Sequence, residues 1–341
     1  MAFISNITLK DIAKIAKVSK VAVSKALNDK PDISEETKIR IKKIAKELNY
    51  IPNNIARGLA TNKTKTIGVF LLTRYKIKDE INRGYDFVDG IIKKANKLGY
   101  DIILFSRDTK SKTNKSYIKQ ATERKVDGII FIGLGENDSE INEIEKSRIP
   151  IVTIDSFLKN KDIISITTDS KKGIVEGLDY LIKKGHREIA AVLGHEEAFV
   201  SNIRYKVYKN YMLEKGLFKK EFIFNGDFTL ESGYRVGKEI LKLKNKPTAI
   251  FSFNDIMAMG LIRALNDGGI KVPKDISILG FDNDKMCDFF QPRISTVSQN
   301  LNLMGKNAVE SLIKKINGKN IENIVLDPKL IIRESITKIG E

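Results

Sequence analysis

Through residues 8–48, apolar positions recur every three to four residues; beyond residue 64 they gather instead into short unbroken runs rich in branched side chains. In "TLKDIAKIAK", Ile12, Ile15 and Ala16 stand at i, i+3 and i+4, and Thr8 followed three residues later by Asp11 has the form of a capping box. "SKVAVSKALN" turns Val23, Ala26 and Leu27 to one side behind Ser19 as N-cap, and only "KVS" separates it from the first helix, so the two helices must cross steeply. In "KPDISEETKIRIKKIAKELNY", Ser34 serves as cap, and Glu35 and Glu36 sit in the first turn, where the helix dipole favours anions. Ile41, Ile44, Ala45 and Leu48 form its inward stripe. Three such stripes can bury one another, which leaves Lys20, Val21, Ser24, Lys25 and Asn28 on the free face of the second helix.

A helix-turn-helix lays its second helix in the major groove of DNA, where lysine reaches guanine O6 and N7 and valine touches a thymine methyl. The alternative is a three-helix adaptor with a solvated lysine face. The next stretch, "YIPNNIARGLATNKTKTIGVF", predicts a short helix behind Pro52 with Asn53 as cap; with Gly58 inside, it needs docking to hold. Arg57 beside Leu59 is a basic residue next to an apolar wedge, the equipment for opening a minor groove. The other reading is an ordinary linker.

From residue 64 on, strand-like and helical runs alternate: "TIGVFLL", "FVDGIIKKANKLGY", "DIILFS", "DGIIFIG", "PIVTID", then a second series through "IISITTD", "REIAAVLG", "TAIFSFND" and "ISILGFD". That is the pattern of parallel sheets with crossover helices, in two similar halves. Ligands of open α/β sheets lie beyond the carboxyl ends of strands, which singles out Ser106, Asp108, Asp155, Asp169, Asn254, Asp255 and Asp282. Taken singly, each also fits a cap or turn.

Composition narrows the partners. The net charge of +17 favours a polyanion, and fourteen of the sixty basic residues but only six of the forty-three acids fall within the first 65 positions. A lone cysteine, Cys287, excludes an internal disulfide and reads as packing. No export signal and no long apolar run is present, so a cytoplasmic protein without a membrane partner is expected. GxGxxG after the first strand and GxxxxGK[ST] are both absent, and His186 and His195 have no serine or cysteine partner in view. Neither an enzyme nor a bound metal or cofactor is expected.

The stretches "ITLKDIAKIAKVSKVAVSKALN" and "ISEETKIRIKKIAKELNYIPNNIARGLATNKTKTIGV" resemble the DNA-binding headpiece of the lactose-repressor (LacI/GalR) family of bacterial transcription regulators, and "TAIFSFNDIMAMGLIRALNDGGIKVPKDISILGFDN" resembles its effector domain. The resemblance implies an α/β fold with a helix-turn-helix headpiece and hinge helix, followed by a two-lobed periplasmic-binding-protein-like domain with parallel sheets. The expected domains are a DNA-binding domain over 1–51, a hinge over 52–63 and an effector domain over 64–341. Its N-lobe is placed at about 64–165 and 298–325, and its C-lobe at about 166–297 and 326–341, with crossovers near 163–167, 294–299 and 327–330.

By the same resemblance Lys20, Val21 and Lys25 read bases, Ser19, Ser24, Asn28 and Tyr50 position the helix on phosphates, and Leu59 enters the centre of a palindromic operator; Thr8, Asn53 and Arg57 complete the DNA-binding set. Ala22 and Lys25 depart from the usual threonine and arginine, and a lysine lacks the bidentate fork, which loosens the implied base preference. Asp169, Arg204, Asn254, Asp282 and Gln299 would hydrogen-bond an effector on which Phe228 stacks, with Ser106 and Asp108 at the strand ends. Val207 stands where the family's Arg-centred contact has a glycine. Such groups suit a polyhydroxylated ring, so the expectation is a homodimeric repressor on double-stranded DNA controlled by a sugar or sugar phosphate. A catabolite-type regulator answering to a protein co-regulator is the alternative, and a sugar-binding receptor a more distant one.

Overall fold

The computed structural model describes residues 7–50, 63–72, 83–105 and 115–340. The chain divides into two units, Met1–Thr64 and Lys65–Glu341. In the first, helices α1 (Leu9–Ala16), α2 (Lys20–Leu27) and α3 (Glu35–Glu47) enclose Ile12, Ala13, Ala16, Val23, Ala26, Ile41 and Ala45. Four of these seven are alanines, so the helix axes approach closely around a few large side chains, each worth about 1.5–3 kcal/mol of burial. Ile15, expected inside, is 53% exposed, and Ala13 takes its place. The stripe of an eight-residue helix is set by where its neighbours pack: α2 and α3 meet α1 on the Ala13 side of Ile12, and Ile15 lies a part-turn off on the other side.

The second unit holds two six-stranded sheets. The first runs β11-β5-β4-β3-β1-β2 and is parallel throughout; the second runs β12-β10-β9-β8-β6-β7, parallel except for β12 against β10. The strands of the first sheet are β1 (Thr66–Leu71), β2 (Asp101–Phe105), β3 (Gly128–Ile132), β4 (Ile151–Ile154), β5 (Ile164–Thr168) and β11 (Ile324–Leu326). Those of the second are β6 (Ile189–Leu193), β7 (Ile223–Asn225), β8 (Ala249–Ser252), β9 (Ser277–Asp282), β10 (Ser295–Ser298) and β12 (Lys329–Ile331). Central strands such as β3 and β9 are buried along their whole length, because helices cover both faces, and this is why their sequences are continuous apolar runs rather than alternating ones.

The chain changes sheet three times. β5 pairs with β4 and, through Thr168, with β11; the helix Ser170–Lys183 that follows packs on β10 and β12. The second change falls between β10 and the helix Leu301–Ile316, which packs against β3, β4 and β5, and the third between β11 and β12. The ladder hydrogen bonds of β5, β10 and β11 run to Thr168, Ser298 and Leu326, beside the lobe limits at 165, 297 and 325 expected from the sequence.

Candidate functional site: an exposed helix face and a cleft between two sheets

On the first unit, the Thr8 backbone N–H and hydroxyl both donate to the Asp11 carboxylate, at 2.8 and 2.7 Å, so Thr8 closes the N-terminus of α1. Ser19 does the same for α2, its Oγ accepting from the Ala22 N–H at 3.1 Å. With Val23 and Ala26 turned inward, Lys20 and Val21 project outward, and Val21 is 63% exposed. An isolated valine left in water at the start of a helix, beside a lysine, is a surface ready to meet a base edge. Ser24 is half-buried and its carbonyl accepts from the Asn28 side-chain amide at 2.7 Å, so Asn28 also finishes the helix. Tyr50 packs half-buried on the headpiece core, its N–H donating to Ala45 O at 2.8 Å.

Lys25 is not a free cation. It forms an ion pair with Asp32, as Lys42 does with Asp29, and in each case the hydrogen bond from the lysine holds the carboxyl below its ordinary 3.8. The two acids lie in the loop that joins α2 to α3, where Asp29 adopts a left-handed φ of 53°. Helical periodicity did not single them out, since neither lies on a helix; the signal available in the sequence is only "NDKPD", two acids in the turn after a basic helix.

In the second unit, Arg204 is fully buried on the helix Phe199–Glu214, donating to Phe253 O at 2.7 Å with its guanidinium 3.8 Å from the Phe281 ring centre. Asn254 caps the helix Asp255–Asp267 by accepting from the Met257 N–H at 2.9 Å, and its amide nitrogen donates to Phe228 O, also at 2.9 Å. The Phe228 ring is buried over Gly194, where an added Cβ would come within 1.9 Å of it. Asp169 caps the helix Ser170–Lys183 through the Lys172 N–H, while its own N–H donates to Leu326 O, both at 2.9 Å.

Gln299 Nε2 donates to Asp282 Oδ1 at 2.5 Å. These two residues line a cavity of about 730 Å³ where the sheets meet, together with Asp255, Asp284, Ser298, Asn300 and, on the N-lobe helix Arg83–Lys97, Asp86 and Asp89. Arg204, Phe228, Asn254 and Asp169 do not line this cavity: the first three are joined through Phe253 and Asn254, just past the end of β8, and Asp169 sits at the crossing beside Leu326. Asn53, Arg57, Leu59, Ser106 and Asp108 lie outside the described residues. Periodicity did not reveal Asp86 or Asn300, because their approach to Asp282 depends on chain crossings between distant segments; Asp284 lies just past the end of β9, two residues after Asp282.

The lobes touch at several points. Lys285 reaches Asp86 at 3.3 Å, the Asn202 amide donates to Glu136 at 2.9 Å, and the Phe157 and Phe199 rings stand 5.1 Å apart. Asp255 is entirely buried, accepting from the Thr296 hydroxyl at 2.7 Å and the Asp284 N–H at 2.8 Å, beside the buried Cys287. Gly280 makes room for it, since a Cβ there would lie 2.0 Å from Asp255 Oδ1.

Burial, reinforced by the Asp282 charge, pushes the Asp255 carboxyl from 3.8 up to about 7 against the pull of its hydrogen bonds. The folded chain therefore holds a proton that the unfolded chain releases. Stability from this group is complete below pH 3.8 and is lost as pH rises through about 7. Melting temperatures across this interval should fall with rising pH more steeply for the native chain than for Asp255→Asn. Equal slopes would place the titration elsewhere.

His186 is also buried, with Nδ1 3.1 Å from the Thr248 hydroxyl and Nε2 3.1 Å from Thr337 O, and burial lowers its pKa. It ties β6 to the C-terminal segment.

Comparison with known proteins agrees with this architecture. Residues 8–53 match the bacterial regulatory proteins of the lacI family, and residues 178–336 match the periplasmic binding protein-like domain. The chain is 32% identical to the HTH-type transcriptional repressor PurR of Vibrio parahaemolyticus over 98% of its own length and 99% of that protein, and 32% identical to catabolite control protein A of Priestia megaterium over 94% and 96%. The lac repressor dimer bound to operator and the anti-inducer ONPF superposes with a TM-score of 0.83 at 25% identity, covering 98% of this chain and all of that one.

The chain belongs to the lacI family of bacterial regulatory proteins. It is a DNA-binding transcriptional repressor with a helix-turn-helix domain and a periplasmic-binding-protein-like domain for a small-molecule effector. These relatives are repressors rather than enzymes, and among the described residues no helix is long and apolar enough to cross a membrane.

Proposed function

We propose that the chain acts without catalysis, in the cytoplasm, as a homodimer on a palindromic operator. Ser19, Lys20 and Val21 enter the major groove, Lys25 reads or braces a base, and Thr8, Ser24, Asn28, Tyr50, Asn53 and Arg57 hold the register. The observation that carries this reading is the start of α2: a side chain as apolar as Val21 stands in solvent beside Lys20 while the opposite face of the helix is packed. Leu59 of each subunit enters the minor groove between the half-sites, and a polyol in the interlobe cleft, against Asp282 and Gln299, alters the separation of the lobes. A coupling of about 1–3 kcal/mol suffices to change operator affinity roughly 5- to 150-fold.

Apolar surface on the second unit supports a dimer face. Leu104, on edge strand β2, is 55% exposed above an apolar groove of about 300 Å³ shared with Val88, Ile91 and Ile92, and Phe289 is 82% exposed beside Met286. Side chains of this size left in water mark a protein interface.

The test is selection of the preferred site from random duplexes at about 0.15 M salt, repeated with a panel of sugars, because affinities for DNA have meaning only at a stated salt. A palindrome lost on addition of one sugar sustains the reading; the absence of any preferred site overturns it. In the same assay Leu59→Ala should weaken operator binding and leave sugar affinity unchanged, and equal weakening on random DNA would remove the minor-groove role. The similarity to catabolite control protein A favours a second reading, in which a protein co-regulator sets operator affinity; a palindrome undisturbed by every sugar would support it.

A further inference from the structure

We propose that the contact of Glu136 and Phe157 with Phe199 and Asn202 is a latch, made by the chain's own residues outside the cavity, that holds the two lobes together and thereby sets operator affinity. This rests on the reading of the chain as a repressor governed by lobe movement, and it gives that movement a control point of its own.

Both halves of the latch stand on rigid supports. On the N-lobe, buried hydroxyls tie together the segments that leave β3 and β4: Ser156 Oγ donates to Leu134 O at 2.7 Å, and Ser156 O accepts from the Thr153 and Ser165 hydroxyls at 2.7 and 2.6 Å. Asp155 turns there through a left-handed φ of 57°, and the fixed loop holds Phe157 outward, 44% exposed. On the C-lobe, His195 shapes the turn after β6, its Nδ1 accepting from the Glu197 N–H and its carbonyl from the Ala198 N–H, both at 3.1 Å. That turn starts the helix Phe199–Glu214, which Arg204 fixes to the second sheet through Phe253 O and the Phe281 ring.

Three interactions join the halves. The Phe157 and Phe199 rings lie 5.1 Å apart at 55°, a separation at which aromatic pairs attract. Asn202 Nδ2 donates to Glu136 Oε2 at 2.9 Å, and the Glu136 N–H donates to Glu197 O at 3.4 Å. None of these residues lines the cavity between the sheets. The interlobe pair of Lys285 with Asp86 is weaker support, because the lysine side chain is 84% exposed and such pairs contribute little in water. With a hydroxyl-braced loop on one side and a sheet-bound helix on the other, the latch breaks only when the lobes part as bodies about their crossings. The ring pair alone biases that equilibrium roughly 2- to 12-fold, and an effector in the cavity acts on the same equilibrium.

The experiment uses the full-length protein, without sugar, on its selected operator and on random duplex at about 0.15 M salt. Phe157→Ala combined with Asn202→Ala opens the latch and should shift operator affinity by about threefold or more, with no such shift on random duplex. Phe157→Leu, which keeps apolar bulk, should fall between the native chain and Phe157→Ala and serves if the double variant does not fold. Glu136→Cys with Asn202→Cys should shift affinity in the same direction, and joining the two thiols with a short bismaleimide should reverse that shift. Both positions are exposed, whereas the native Cys287 is buried and stays unreacted. A lower melting temperature with operator affinity unchanged would make the contact structural only and overturn the latch, as would thiols that cannot be joined or a linkage without effect. A native chain that selects no operator overturns the repressor reading and the latch with it.

Discussion

Gly260→Ala is expected to lower the melting temperature of the effector-binding unit by roughly 6–12 °C, the equivalent of about 3 kcal/mol of overpacking in a domain of this size. The helices Leu230–Leu241 and Asp255–Asp267 cross in contact, and a Cβ on Gly260 would stand 2.1 Å from Leu230 O and 2.7 Å from the Tyr234 N–H. Both obstacles are backbone, so no side-chain rotation relieves the clash; the helices must part. Gly233 faces the same crossing from the other side, with Met257 O 2.2 Å from where its Cβ would be. Because Asn254 and Asp255 begin the displaced helix, sugar binding should weaken along with stability. Differential scanning calorimetry checks the first effect and titration the second; a fall of less than about 2 °C would mean the helices slide apart at little cost.

Lys25→Ala is expected to relax base preference at one operator position by about 1–3 kcal/mol, as removal of a groove-reading lysine does. Asp32→Asn should produce a different signature. With Asp32 in place, the Lys25 ammonium is held toward the loop and shares its charge with a carboxylate, which lessens its attraction to phosphate. Without that partner it becomes an additional mobile cation. Affinity for random DNA should then rise, and the slope of log affinity against log salt should steepen by about one unit, as for one added phosphate contact. Fluorescence anisotropy on operator and random duplexes across a salt series separates the two variants. If Asp32→Asn left both the slope and the base preference unchanged, the pair would be no more than a solvated surface contact of the kind usually worth under about 1 kcal/mol.

Much of the architecture is legible in the residues. The three stripes at helical spacing, the caps Thr8, Ser19 and Ser34, and the change to buried branched runs after residue 64 follow from local chemistry, since each concerns groups within four positions of one another. The inward place expected for Ile15 failed because a helix of eight residues has too few positions to fix its own buried face; the angle at which α2 and α3 meet it decides. Where a strand ends is likewise set by ladder partners such as β11 and β5, which are far apart in sequence.

The candidate site divides along the same line. Local chemistry shows which residue types stand at strand ends and helix starts, so Asp169, Asn254 and Asp282 could be singled out, and each does cap a helix or end a strand. Which of them share a space depends on how the chain packs. Asp282 and Gln299 meet across a strand pairing and open on a cavity with Asp86 and Asn300, while Arg204 and Phe228 do not line it and are joined through Phe253 and Asn254. The reason is physical: capping and periodicity act through hydrogen bonds and packing within one or two turns, whereas a cleft is made where the chain crosses between two sheets, and nothing local specifies what arrives from the other side.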